Sequence, residues 1–374
     1  MKRILFIVHE ASRTGAPLLL LYFIKWLRSE YNHFIIDVLV IRRGALEEEF
    51  ARYSDHYYVS NQLFGNKVQK ASLRLFNKIY GGSSDHIFRY LKGNLATRNY
   101  DLLYCNSVLT LEVGTFIKKR CKASLLCHVH ELDTVIRRYV PNFMSLQEDT
   151  DKFIAVSSAV SKMLVNKGVE QERIHLIYEY IEKITIPAQS NSSTSNIFNV
   201  GSAGTVHWRK GYDIFIQVAK EVLKSTDKIK FTWVGAMNDE HRAIVEEDLR
   251  KLEISQHVFF LGEKQFPIAD FQSFDVFFLS SREDPFPLVC IESGMLGKPI
   301  ICFDKAGGIP ELIENGGGKT VSYLDINEAA QTILYYFNNP SDLLADGQII
   351  KEKVKELVVD EAAPKILSVI KSLI

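Results

Sequence analysis

The chain has 374 residues, 47% apolar and 24% charged, which is long enough to bury two cores and close to the make-up of ordinary globular proteins, so a disordered or fibrous chain is excluded. Its 45 basic and 45 acidic residues cancel, yet residues 1–190 hold 26 and 19 of them and the remainder 19 and 26. That asymmetry suits an anionic partner for the first half, or mutual attraction of the halves across a cleft; nucleic acid is not an expected partner. Five cysteines (Cys105, Cys121, Cys127, Cys290, Cys302) form no Cys-x-x-Cys pair and have mostly apolar neighbours, so they read as reduced core residues. The opening apolar run, Ile4 to Val8, stops at His9 and Glu10, too short for a signal peptide, and Leu18 to Leu27 is broken by Lys25 and too short to span a bilayer. The expected location is cytoplasmic.

Aliphatic or β-branched runs predict strands at Ile4 to Val8, Phe34 to Val40, Leu102 to Cys105, Ser124 to Val129, Phe153 to Val156 and Ile174 to Ile177. Stretches of helical period separate them, the pattern of βαβ units on a parallel sheet. The polar, turn-rich stretch Pro187 to Asn196 reads as a linker. Strand runs then resume at Phe198 to Gly201, Ile229 to Val234, Val258 to Leu261, Val276 to Leu279, Pro299 to Phe303 and Thr320 to Tyr323. The predicted layout is a first domain over 1–187, a linker over 188–196, a second domain over 197–355 and a C-terminal helical segment over 356–374 that can pack back on the first domain. Two such α/β domains leave a cleft where strand ends and helix N-termini converge on a ligand.

The segment Ser280-Ser281-Arg282-Glu283-Asp284-Pro285-Phe286-Pro287-Leu288-Val289-Cys290-Ile291-Glu292-Ser293-Gly294 follows one predicted strand and leads into a helix. Backbone N–H groups at a helix start suit a phosphate, and the carboxylates suit sugar and ribose hydroxyls. This stretch resembles the Glu-x7-Glu region of retaining glycosyltransferases of family four, which have the GT-B fold of two facing Rossmann-like domains with parallel sheets. The resemblance implies that Asp284 contacts the donor sugar and Glu292 holds the nucleotide ribose, with Glu283 the other carboxylate able to reach the sugar. Phe286, Pro287, Leu288 and Val289 of the same turn count as donor-binding residues. Farther on, Gly307-Gly308-Ile309-Pro310-Glu311 is similar to the family's glycine-rich loop, where backbone approaches the donor closely. Upstream, Gly201-Ser202-Ala203-Gly204-Thr205-Val206-His207-Trp208-Arg209-Lys210-Gly211 resembles the family segment whose Arg and Lys neutralise the diphosphate. Lys210 matches directly; Arg209 takes the part of an earlier Arg, at whose place Thr205 and Val206 stand.

In the first half, Gly15 and Ala16, before Pro17, resemble the small glycine-rich loop that meets donor phosphates. His130 in Cys127-His128-Val129-His130-Glu131 stands where such families place a strand-end His. The resemblance implies catalysis through His130, Asp284, Arg209 and Lys210, a nucleoside-diphosphate sugar of UDP or GDP type as co-substrate, no further cofactor and no metal. It also implies a glycan or lipid-linked acceptor in surface polysaccharide or lipid-linked glycan synthesis. Asp149-Thr150-Asp151 precedes a predicted strand and reads as a solvated turn. Basic residues interleaved with apolar ones over 67–98 suit an anionic membrane or phosphorylated lipid, or a plain surface helix. The alternatives are a non-catalytic sugar-nucleotide-binding regulator and a sugar-nucleotide epimerase on the same fold.

Overall fold

The structure, a computed structural model, describes residues 1–31, 33–59, 95, 98–183, 197–264 and 267–374. They divide into two units, Met1–Tyr178 with Val359–Ile374, and Glu179–Val358. The stretch predicted as a linker, 188–196, lies outside the described residues, as does the basic segment 67–98 apart from Leu95 and Arg98.

In the first unit, β1 (Lys2–Glu10), β2 (Phe34–Arg42), β3 (His56–Val59), β4 (Leu102–Cys105), β5 (Ser124–Val129), β6 (Lys152–Ala155) and β7 (Ile174–Leu176) form one parallel sheet in the order β3-β2-β1-β4-β5-β6-β7. Its helices are α1 (Gly15–Glu30), α2 (Glu47–Tyr53), α3 (Leu111–Lys118), α4 (Asp133–Tyr139), α5 (Phe143–Glu148) and α6 (Ser158–Asn166). The strand order reverses between β1 and β4, which makes their carboxyl ends the switch point where α/β sheets bind ligands. Ile4 to Val8 are fully buried, as a strand covered on both faces must be. The sequence reading lacked β3, a four-residue edge strand of His56-Tyr57-Tyr58-Val59 without an aliphatic run. It is pinned by His56, whose Nδ1 lies 2.9 Å from Asp37 on β2. Asp37 is fully buried; Tyr100 donates to it at 3.1 Å and Arg98 lies 3.5 Å away, so the buried charge is well partnered.

In the second unit, β8 (Phe198–Ala203), β9 (Ile229–Val234), β10 (Val258–Phe260), β11 (Val276–Leu279), β12 (Ile300–Phe303) and β13 (Gly318–Val321) form a parallel sheet ordered β10-β9-β8-β11-β12-β13. Its helices are α7 (Tyr212–Leu223), α8 (Asp239–Lys251), α9 (Ile268–Gln272), α10 (Leu288–Met295), α11 (Ile309–Leu312), α12 (Ile326–Asn338) and α13 (Pro340–Lys353). The switch point here falls between β8 and β11. One side of this sheet is aromatic: the Phe215 ring meets Phe231 and Trp233 edge-on and stacks with Phe278. Asp275, just before β11, accepts from the Asn199 N–H at 2.7 Å while its own N–H donates to the Asn199 carbonyl at 2.8 Å. That clasp aligns β8 with β11 at the amino edge, opposite the ligand-binding edge.

The second unit's two ends lie side by side, with Ile181 bridged to Val358 and its N–H donating to the Leu357 carbonyl at 3.1 Å. Beyond them, α14 (Val359–Lys371) belongs to the first unit and packs on α1. Its Ala363, Ile366 and Ile370 are fully buried, Lys371 Nζ lies 2.9 Å from the Tyr31 hydroxyl, and Ser124 donates to the Leu373 carbonyl at 2.7 Å. All five cysteines are free thiols; Cys105, Cys127, Cys290 and Cys302 are buried. Among the described residues no helix is long and apolar enough to cross a membrane.

Candidate active site

Two loops at the switch point of the second unit are laced together. After β8 the chain runs through the exposed Thr205 and the buried Val206 into a short 3₁₀ turn, Trp208–Lys210, capped by His207, whose Nδ1 accepts from the Arg209 N–H at 3.2 Å. Gly211 then takes a left-handed φ of 71°, and a Cβ there would stand 2.0 Å from the Ser280 carbonyl oxygen, so glycine is required for α7 to begin where it does. From the loop after β11, Ser280 donates its hydroxyl to the Lys210 carbonyl at 3.1 Å, and the Arg282 N–H donates to the Arg209 carbonyl at 2.8 Å.

This lacing brings Lys210, Arg209 and Asp284 together. Lys210 Nζ lies 2.6 Å from Asp284 Oδ2, which also accepts from the Ser281 hydroxyl at 3.1 Å. Arg209 Nη1 donates to the Glu283 carbonyl at 2.7 Å and stands 3.6 Å from Asp284 Oδ1. Asp284 is 5% exposed. Burial alone pushes its pKa up, but the Lys210 and Arg209 cations and the bonds from Lys210 and Ser281 outweigh it, and the carboxyl is held below its ordinary value. Two cations facing one carboxylate leave a surplus positive charge.

The glycine pair after β12 is joined to the same turn. Asp284 and Gly307 form a parallel bridge; the Asp284 N–H donates to the Ala306 carbonyl at 2.6 Å, and the Gly308 N–H to the Pro285 carbonyl at 2.9 Å. Gly307 has φ 150°, and a Cβ there would lie 1.7 Å from the Asp284 carbonyl oxygen. Phe286, Pro287 and Leu288 are buried and anchor the turn by packing, while Val289 and Glu283 keep part of their surface exposed. Between the two neighbouring carboxylates it is Asp284 that turns inward to the cations. Glu292, on α10, has some exposed surface, but its carboxyl is crowded by protein and is pushed up to about 7 by burial. Among the described residues no hydrogen-bond donor or cation is paired with it.

A strut that the sequence reading lacked steadies this group. Arg282 grips Asp213, at the start of α7, with two bonds of 2.9 and 2.7 Å, donates to the Trp208 carbonyl at 2.7 Å and lies 5.0 Å from the Trp208 ring centre. The 3₁₀ turn bearing Arg209 and Lys210 is thereby braced against α7.

The first unit carries a separate group at its own switch point. Gly15 and Ala16 form the first turn of α1, and the Ala16 carbonyl accepts from Asn106 Nδ2 at 2.8 Å. His130 follows β5; its ring centre is 4.2 Å from that of His128, whose Nδ1 lies 2.7 Å from the Tyr104 hydroxyl. Burial holds the His130 imidazole down to about 4, so it is neutral at pH 7. Glu131 folds beneath this strand end and accepts from the His130 N–H at 3.1 Å. Asp149 and Asp151 are occupied by lysines: Lys119 lies 2.8 Å from Asp149, and Lys118 2.6 Å from Asp151.

Residues 183–354 match the family described as glycosyl transferases group 1. An uncharacterized 41.2 kDa protein of the cps region of Klebsiella pneumoniae is 27% identical over 228 residues, covering 57% of this chain and 60% of that protein. The alpha-galactosylglucosyldiacylglycerol synthase of Streptococcus pneumoniae is 25% identical over 244 residues, 60% of each chain. The match thus spans about three fifths of the length of these relatives. Among solved structures, Anabaena HepE in complex with UDP and glucose is similar with a TM-score of 0.79 at 19% identity, covering 100% of both chains. The family match thus covers nearly all of the second unit, and the likeness to HepE over the whole chain shows the GT-B fold of two parallel α/β sheets.

Proposed function

We propose that the chain is a retaining glycosyltransferase of family four that moves a sugar from a nucleoside diphosphate of UDP or GDP type to an acceptor hydroxyl. The observation that carries this reading is the Lys210–Asp284 pair with Arg209 beside it, a fixed surplus of positive charge at the carboxyl edge of a Rossmann-like sheet. A departing nucleoside diphosphate gains negative charge, and cations already held in place stabilise it without reorganising. Arg209 and Lys210 fill that role in place of a metal ion.

Asp284 holds Lys210 in position and offers Oδ1 to a donor-sugar hydroxyl. Glu292, which has no partner among the described residues, accepts hydrogen bonds from the ribose hydroxyls and releases its proton to solvent as it does so. The backbone at Gly307 and Gly308 and the exposed Thr205 complete the donor contacts. The first unit takes the acceptor and contributes the neutral His130 imidazole to the reaction and the helix start at Gly15 and Ala16 to donor binding. Positioning and charge stabilisation are the main contributions of such a site, which therefore needs no dedicated acid–base pair.

The relatives point to the process. One is named for synthesis of a glycolipid, another lies in a cps region, and HepE was solved with UDP and glucose. By this analogy the chain acts at the cytoplasmic face of a membrane in surface polysaccharide or lipid-linked glycan assembly. A thermal-shift screen against UDP, GDP, ADP, CMP and their sugar conjugates, with and without magnesium, tests the donor site. The expected result is a metal-independent shift with one base that is lost in Lys210→Ala and Glu292→Ala; no shift with any of them overturns the reading. The anomeric configuration of the product, read by NMR, tests retention.

A further inference from the structure

Glu131 is 8% exposed, and no lysine or arginine is paired with it among the described residues. Donors hold it instead. The Ser107 hydroxyl donates to Oε1, and the N–H groups of Val108 and His130 donate to Oε2 at 3.3 and 3.1 Å. Ser107 also caps the 3₁₀ turn Val108–Thr110, its Oγ accepting from the Leu109 N–H at 3.0 Å. Next to it, Asn106 donates from Nδ2 to the Ala16 carbonyl at 2.8 Å and from its N–H to the Ile7 carbonyl at 3.0 Å. One carboxylate therefore sits where the ends of β4 and β5 meet, one residue from the links to β1 and α1.

A buried carboxylate is expensive to desolvate, and an apolar side chain of the same size would serve packing alone. What the carboxylate adds is direction. Its Oε2 joins the amide entering His130 to the amide entering Val108, so the peptide plane that sets the Cα–Cβ vector of His130 is fixed to the capped 3₁₀ turn after β4. The next residue, Leu132, already leads into α4, so the strand ladder does not fix this plane. From this geometry we infer that Glu131 is a positioning residue, which holds the His130 imidazole at the angle that its part in transfer requires. The inference rests on the role given to His130 above.

The substitution that separates geometry from charge is Glu131→Gln. Its carbonyl oxygen can accept from both amides, and its NH₂ can donate to Ser107 Oγ. Glu131→Ala removes all three bonds, and Ser107→Ala removes one. Transfer to acceptor should keep kcat within a few-fold in Glu131→Gln and lose about 100-fold in Glu131→Ala, the scale of a misplaced catalytic group. The donor KM should change little in both, since Lys210, Arg209, Asp284 and Glu292 are untouched and the Asn106 bond to the Ala16 carbonyl remains. In the His130→Ala background, Glu131→Ala should cause no further loss, because a residue acting through another has nothing left to position. Multiplying losses, or a Glu131→Ala enzyme as active as wild type, overturn the inference. So does a Glu131→Gln enzyme as impaired as Glu131→Ala, because the charge and not the placement then matters.

Imidazole ¹⁵N NMR at pH 7 supplies a readout that needs no activity, with the His130 signal identified by its loss in His130→Ala. A single neutral tautomer in wild type and Glu131→Gln, giving way to an exchange-broadened signal in Glu131→Ala, supports the inference; an unchanged signal overturns it. If Glu131→Ala does not fold, Ser107→Ala carries the same comparison with a smaller expected loss. Full activity in His130→Ala removes the catalytic role of His130, while the NMR comparison still decides whether Glu131 sets its ring.

Discussion

Lys210 and Asp284 stand 74 residues apart in the chain and 2.6 Å apart in the fold, the cation from the loop after β8 and the anion from the loop after β11. Removing the cation strands a buried carboxylate. Lys210→Ala should therefore lower stability by about 3 kcal/mol as well as slow transfer by about 10²- to 10³-fold. Adding Asp284→Asn should restore much of the stability and none of the activity, with urea unfolding of the second unit and initial rates as the two measurements.

Glu292 sets a pH dependence. Burial pushes its carboxyl up from 4.5 to about 7, so between these values the folded chain keeps a proton that the unfolded chain gives up. The associated stability is complete below about pH 4.5 and is lost as pH rises through 7. With allowance for its partly exposed surface the loss amounts to about 2 kcal/mol. Melting curves from pH 4.5 to 8 should show this decline in wild type and a flatter profile in Glu292→Gln. Binding of the nucleoside-diphosphate sugar selected by the thermal-shift screen, whose diphosphate diester does not titrate in this range, should tighten with rising pH in wild type and not in the variant.

Gly307 cannot carry a side chain. With φ at 150° and the Asp284 carbonyl in the way, Gly307→Ala must unclasp the bridge that places Asp284. A loss of at least about 2 kcal/mol is expected, together with weaker nucleotide binding. Gly308→Ala, at a negative φ of −89°, should be milder in both respects.

The Arg282 strut offers a subtler test. Lysine cannot make the paired bonds to Asp213 or lie flat on Trp208, so Arg282→Lys should loosen the turn bearing Arg209 and Lys210. An affinity loss of about five- to tenfold for the nucleotide selected by the thermal-shift screen, with the melting temperature little changed, is the expected outcome in calorimetry.

Much of this was legible in the sequence because the evidence was local. The aliphatic runs at Ile4 to Val8 and Ile229 to Val234 can be little else than buried strands, and Asp284, Glu292, Lys210 and the glycine pair lie within short, well-spaced segments. β3 escaped because its residues are aromatic and polar at a sheet edge. β13 begins at Gly318, two residues before the predicted start, because Gly318 carries no aliphatic signal yet already pairs with Ile300. The partners that hold the site were hidden for a different reason. Arg282 finds Asp213 across 69 residues and Ser107 finds Glu131 across 24, and neither spacing carries a periodic signal. The bond from Arg209 to the Glu283 carbonyl spans 74 residues and leaves no local trace in the sequence either.

The pairing of Ile181 with Val358 bears on how the molecule is made. Everything the second unit needs has been synthesised once Val358 leaves the ribosome, whereas the first unit, begun earlier, still lacks α14. Domains usually finish in the order of their synthesis; here the earlier-begun unit finishes last. Until Ala363, Ile366 and Ile370 arrive, α1 is without the helix that packs on it, and the nascent chain displays an apolar surface for as long as the whole second unit takes to translate. Chaperone engagement in that interval, and sensitivity of yield to slow codons between Glu179 and Val358, are the cellular consequences of a domain whose last helix is delivered after its neighbour.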